Sequence, residues 1–139
     1  VPKRSIDHAI VGPRGLAGDR QETRIHHGPP WQALCLWSLD TIDTFAAAGH
    51  PIAPGCAGEN ATIAGLAWAD VVPGVRLRMG DVLVEVSVYA LPCSKNAQWF
   101  IGGQFEQMHH ERGPGLSRLY ASVVEPGAIR LGDEVELLG

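Results

Sequence analysis

Cys93 lies in the stretch LPCSKNAQ (91–98), behind a proline and after the apolar run 82–91. If a helix begins at residues 92–94, its free backbone N–H groups and its dipole face the sulfur. Lys95 adds positive charge two residues on. Both effects favour a thiolate, which can attack an electrophile, carry sulfur or bind a soft metal. The same residue also reads as a small buried hydrophobe, the commonest fate of cysteine. Spacing leaves both readings open.

A second candidate is PGCAGENATI (54–63), where glycines surround an acid–amide pair. Glu59 offers a carboxylate, and Asn60 a donor and an acceptor. Taken alone, the segment reads more simply as a polar turn. A third is the run 18–37, in which Arg20, Arg24, His26 and His27 precede a Gly-Pro turn. Such a cluster can hold a phosphate or can form a solvated strand face. With Lys3, and with His27 if protonated, Arg20 and Arg24 make the best anion site in the chain. Arg112 and Arg118 are expected to matter less, Arg112 because it lies in a Gly-rich polar run.

Zinc is the obvious alternative for a chain with six His and three Cys. None of them forms the C-x-x-C or H-E-x-x-H spacing. The chain also lacks a Walker loop, a G-x-S-x-G and a G-x-G-x-x-G.

These residues need elements to hold them. Val82, Val84, Val86 and Val88 alternate with Leu83, Glu85, Ser87 and Tyr89, the period of a strand. Further strands are expected at 32–37, 118–124 and 134–138, with weaker signals at 9–11 and Ala61–Ile63. A helix is predicted over 39–48. Ser38 caps it, Leu39, Ile42, Phe45 and Ala46 form its apolar stripe, and Gly49 and Pro51 end it. A second helix is expected from 92–94 to about Phe100, followed by an exposed loop or lid over 102–116. VRLRMGDVLVEV (75–86) resembles GAIRLGDEVELL (127–138), each a Gly-Asp turn between short strands, as in small β-barrels.

Bulk composition bounds the function. The 139 residues suit one domain with one core. Seventeen Gly and ten Pro favour short strands over long helices. A net charge of −4 with 19% charged residues argues against general binding to nucleic acid or an anionic membrane. No apolar run approaches the roughly 20 residues that span a bilayer. VPKRSIDHAI has neither the apolar core nor the cleavage site of a signal peptide. The odd cysteine count, with no framework spacing, suggests reduced thiols and a cytoplasmic setting.

The ordered motifs VPK (1–3), GLAGDRQ (15–21), HHG (26–28), ALCLWS (33–38), GHPIAPGCAGEN (49–60), PC (92–93), SRLYASVVEPG (117–127) and GDEVEL (132–137) resemble MOSC domains. That family is named for the C-terminal domain of molybdenum cofactor sulfurase. The resemblance spans essentially the whole chain, 1–139, as a single domain of the short stand-alone bacterial type. It implies a mainly β fold: a closed β-barrel resembling the pyruvate kinase barrel domain, with a few short helices. Relatives begin with one more strand before the PK, so the chain is expected to lack that strand. The resemblance also implies that Cys93 is the reactive cysteine and a molybdenum ligand. Arg20 and Lys3 would bind the phosphate of the molybdopterin. The loop carrying Glu59 and Asn60 would face the same pocket.

Two roles follow from the resemblance. One is a molybdenum-cofactor protein that reduces small N-oxygenated substrates with an electron-transfer partner. The other is a sulfur carrier that takes persulfide sulfur from a cysteine desulfurase, so that pyridoxal phosphate enters only through the partner enzyme. A non-catalytic binding barrel is the third alternative.

Overall fold

The computed structural model describes residues 8–12, 15–16 and 30–139. In chain order the strands are β1 (His8–Gly12), β2 (Gly15–Leu16), β3 (Leu34–Ser38), β4 (Ala61–Ile63), β5 (Arg76–Met79), β6 (Val82–Tyr89), β7 (Leu119–Glu125), β8 (Gly127–Arg130) and β9 (Val135–Leu137). A single α-helix among the described residues, α1 (Leu39–Ala47), follows β3.

Six strands form one sheet in the order β4-β3-β7-β6-β5-β9, which curls into a nearly closed barrel. A smaller sheet, β2-β1-β8, lies beside it. The fold is therefore mainly β with few short helices, as the motifs imply. β3 is buried along its whole length, which suits its apolar sequence LCLWS and its place between two neighbours. It pairs antiparallel with β7, setting Cys35 opposite Tyr120, and parallel with β4 after the α1 crossover. Leu36, Trp37, Leu77, Val82, Val84 and Ala121 are fully enclosed at the centre.

α1 begins where its cap requires. The Ser38 Oγ accepts a hydrogen bond from the Thr41 N–H at 3.3 Å. Ile42 and Phe45 are buried, while Ala46 of the expected stripe faces solvent. Gly49, at φ +99°, takes the left-handed conformation that closes the helix.

The structure departs from the sequence expectations in several places. β6 does not alternate to its end. Val82, Leu83, Val84 and Val86 are buried, but Val88 is 41% exposed. Its pairing with β7 shifts between Leu83 and Val84 and again between Val86 and Tyr89. Such irregularities re-phase the strand and turn Tyr89 toward the core.

The second helix is not α-helical. Residues Ser94–Trp99 form a six-residue 3-10 run, stopped by the extended backbone of Phe100. Burial of Asn96 and Phe100 holds this tighter path. The stretch 102–116 is not an exposed lid. Met108 is 1% exposed, and the His110 ring stacks on Tyr89 at 4.2 Å. Gly115 and Leu116 offer their carbonyls to Thr41 Oγ1 (2.6 Å) and Trp37 Nε1 (3.1 Å).

The two similar Gly-Asp segments also part company. The first is a β5–β6 hairpin. The second sends β8 to β1 and β9 to β5. The first turn fits between them: Gly80 N–H donates to Glu134 O (3.3 Å) and Asp81 N–H to Ala128 O (3.2 Å). Gly80 lies at φ +56°, which side chains rarely adopt, and a Cβ there would come within 3.2 Å of Ala128 O, so this close approach favours glycine.

Candidate functional site

β6 ends at Tyr89, and the chain then runs through Ala90, Leu91 and Pro92 to Cys93. Pro92 has no N–H to extend the ladder. Cys93 follows with extended backbone (φ −114°, ψ 140°) and an exposed thiol. By contrast Cys35, inside β3, is buried, and Cys56 is half-buried. Lys95 is exposed near the start of the 3-10 run. A run this short does not supply the helix N-terminus on which the sequence argument for a thiolate rested.

The loop 54–60 is more than a polar turn. Asn60 brackets the backbone of Cys35: its N–H donates to Cys35 O (2.8 Å), and its Oδ1 accepts from Cys35 N–H (2.7 Å). These two bonds extend the β3–β4 pairing and fix the end of the loop. Glu59 is 2% exposed. Its Oε2 accepts from Gly55 N–H (2.9 Å) and from Thr62 Oγ1 (3.1 Å). Its Oε1 is buried with no hydrogen-bond partner among the described residues. Burial pushes the Glu59 carboxyl above its ordinary value, although these hydrogen bonds and the charge of Arg118 oppose the shift.

Arg118 connects the two regions. It is 7% exposed, immediately before β7. Nη1 donates to Ala57 O and Nη2 to Leu91 O, both at 2.9 Å. One guanidinium therefore ties residues two positions from Glu59 to residues two positions from Cys93. Its Nε has no partner among the described residues. Tyr120 lies on the same face of β7, its ring edge-on to the half-exposed Trp31 at 6.2 Å. Burial raises the Tyr120 hydroxyl pKa, Cys35 adds to the rise, Arg118 opposes it and Cys93 adds again. Cys35, Cys93 and Arg118 thus share one electrostatic neighbourhood around this hydroxyl.

Sequence reading ranked Arg118 low as an anion ligand, did not foresee its bonds to Ala57 and Leu91, and did not single out Tyr120. The signal lay in the strand period. Leu119 and Ala121 point into the core, so Arg118 and Tyr120 share the other phase of SRLYASVV. Of the remaining candidates, Lys3, Arg20, Arg24 and His27 lie outside the described residues.

Two clefts lie elsewhere. The larger, about 380 Å³, is lined by Ser38, Thr41, Phe45, Trp68 and Gly115, among others, beside α1. The smaller, about 70 Å³, lies under the Tyr89–His110 stack. Neither is lined by Cys93, Glu59 or Arg118. Among the described residues no three His, Cys, Asp or Glu side chains gather to hold a metal ion. A bare ion needs such a set, whereas a cofactor that brings its own ligands needs only one exposed thiol. The donor set at Cys93 fits the second case. Among the described residues no helix is long and apolar enough to cross a membrane.

The family model of the MOSC domain matches residues 23–136. The chain is 31% identical over 140 aligned positions to the uncharacterized protein YflK of Bacillus subtilis, covering 99% of this chain and 62% of that protein. It is 32% identical over 130 positions to the protein YiiM of Escherichia coli, covering 89% of this chain and 56% of that protein. The crystal structure of YiiM from E. coli superposes with a TM-score of 0.74 at 26% identity, over 99% of this chain and 65% of that one. The chain thus spans about six-tenths of the length of the curated relatives it matches.

Proposed function

The chain belongs to the MOSC domain family, and on that premise we propose that it binds molybdenum cofactor through Cys93. The observation that carries the reading is the contrast among its thiols. Cys35 is packed into a strand, while Cys93 stands exposed at a strand end. A ligand thiol must be reachable. When bound, the cofactor supplies oxygen-atom removal from N-oxygenated small molecules, with electrons delivered by a partner protein. Cys93 would be the metal ligand contributed by the chain. Lys3, Arg20, Arg24 and His27 would hold the pterin phosphate, and Lys95 would add positive charge beside the thiol. The Glu59–Asn60 loop would line the pocket, with Glu59 Oε1 as a buried acceptor still open to a donor.

One observation favours a second reading. Cys93 and Leu91, the latter 65% exposed, both present their side chains to solvent. A sulfur carrier needs such reach, because the pyridoxal-phosphate desulfurase that loads it must bring its own persulfide to the thiol. Elemental analysis and intact mass of protein from a cofactor-competent host separate the readings. Near-stoichiometric molybdenum supports the cofactor role, and a labile extra sulfur on Cys93 supports the carrier. Finding neither overturns both and leaves a non-catalytic binding barrel.

A further inference from the structure

We infer that Arg118 is a positioning residue that fixes the Cys93 thiol relative to the Glu59–Asn60 loop. The inference rests on the reading of Cys93 as the functional thiol. The guanidinium is buried, and its two forked nitrogens reach carbonyls 34 positions apart, Ala57 and Leu91 (91 − 57), each at 2.9 Å. The backbone of the same residue takes part as well. Arg118 O accepts from Ala90 N–H (2.9 Å) and from Ser117 Oγ (2.7 Å), and Ser117 Oγ also lies 3.3 Å from Ala90 O. Arg118 thus holds Ala90 through its main chain and Leu91 through its side chain.

This arrangement has a purpose that plain packing does not supply. Cys93 lies between the end of a strand and a 3-10 run whose own anchors, Asn96 and Phe100, come after it. The Glu59 loop is a turn, closed on itself by the Gly58 N–H to Gly55 O bond at 3.1 Å and tied to β3 at its Asn60 end. Each segment has its own anchor, and Arg118 adds the bond that sets one relative to the other. A planar fork can bond two carbonyls in fixed directions at once, which a lysine ammonium on a flexible stem cannot reproduce. Arg118 touches neither the thiol nor the Glu59 carboxylate by hydrogen bond, so it acts through the loops.

The test compares the parent with Arg118→Lys, Arg118→Gln and, as a control at an exposed site, Arg112→Gln. Each is measured by amide hydrogen exchange and by molybdenum content from a cofactor-competent host. Under conditions where all are folded, both Arg118 variants should exchange about tenfold faster at Gly58, Asn60 and Asn96, while β6 and β7 keep parental protection. Their molybdenum content should fall at least severalfold, with Arg112→Gln unchanged. Faster exchange throughout β6 and β7 would reduce Arg118 to a general structural role and overturn the inference. So would loosening of one loop alone, parental exchange in Arg118→Lys, or loosened loops with molybdenum fully retained. Cys93→Ser separates the two ideas, since it should lose molybdenum with both loops still protected. A parent without molybdenum would sink the cofactor reading. Exchange at the two loops would then decide the bracket, and sulfur uptake by Cys93 would replace molybdenum content as the functional readout.

Discussion

Glu59 shows how a polar side chain can be stable in shape and costly in charge. Its Oε2 is fully used, its Oε1 is buried and unpartnered among the described residues, and burial raises its pKa. The sign follows directly. A carboxyl whose folded value exceeds its unfolded value favours the fold below the ordinary carboxylate value, and loses that contribution as pH rises through the raised value. Denaturant titrations across weakly acidic to neutral pH should therefore show the parent losing stability relative to Glu59→Gln. A parent that gains on the variant over that range would contradict this account. Tyr120 reports on the thiols in the same way. In an alkaline absorbance titration its ionisation should move down toward the ordinary phenol value in Cys93→Ser, and further in Cys35→Ala. No movement in either variant would place the thiols away from the hydroxyl. The type and position of Cys93 were legible in LPCS. The strand period sets Arg118 in phase with Tyr120, but the tie that Arg118 makes was not legible, because its partners are backbone carbonyls of two distant loops.

Among the elements, β3, β4, β7, β9 and α1 could be read from period, caps and turn residues, because each buries a regular face or carries a local stop signal. The segment after Cys93 could not. Its buried residues Asn96, Phe100 and Met108 are too sparse to mark a period, and a succession of 3-10 turns places them. Met108→Ala should therefore cost about 2–5 kcal/mol in equilibrium unfolding, the range for truncating a core side chain. A loss near zero would restore the view of 102–116 as a loose loop. The Gly-Asp repeat looked like two hairpins and is one hairpin fitted against a strand junction. A Cβ at Gly127 would lie 2.9 Å from Asp81 Cβ and 3.1 Å from Asp81 O. Gly127→Ala should thus destabilise by about 1–3 kcal/mol. Gly12→Ala, with nothing within 4 Å of the added carbon, should change stability by no more than about 0.5 kcal/mol. Equal effects from the two substitutions would refute the interlocked junction.

For the molecule as a whole, the barrel brings together segments that the sequence keeps apart. The end of β6 and the starts of β3, β4 and β7 place Cys93, the Glu59–Asn60 loop, Arg118 and Tyr120 in one region. Short strands and Gly-Asp turns in a Gly- and Pro-rich chain made a mainly β fold legible, and the closed barrel came from the resemblance to MOSC domains. A net charge of −4 means that any bound phosphate depends on locally gathered cations, which is why Arg20, Arg24, His27 and Lys3 enter the proposal together. The central claim, however, rests on one sulfur. Its most direct test is the molybdenum content of the parent, Cys93→Ser and Cys56→Ser, purified identically from a cofactor-competent host. Near-stoichiometric metal in the parent and in Cys56→Ser, with most of it lost from folded Cys93→Ser, is the expected result. Equal molybdenum in the parent and Cys93→Ser, or none in the parent, would contradict the assignment of Cys93 as the ligand.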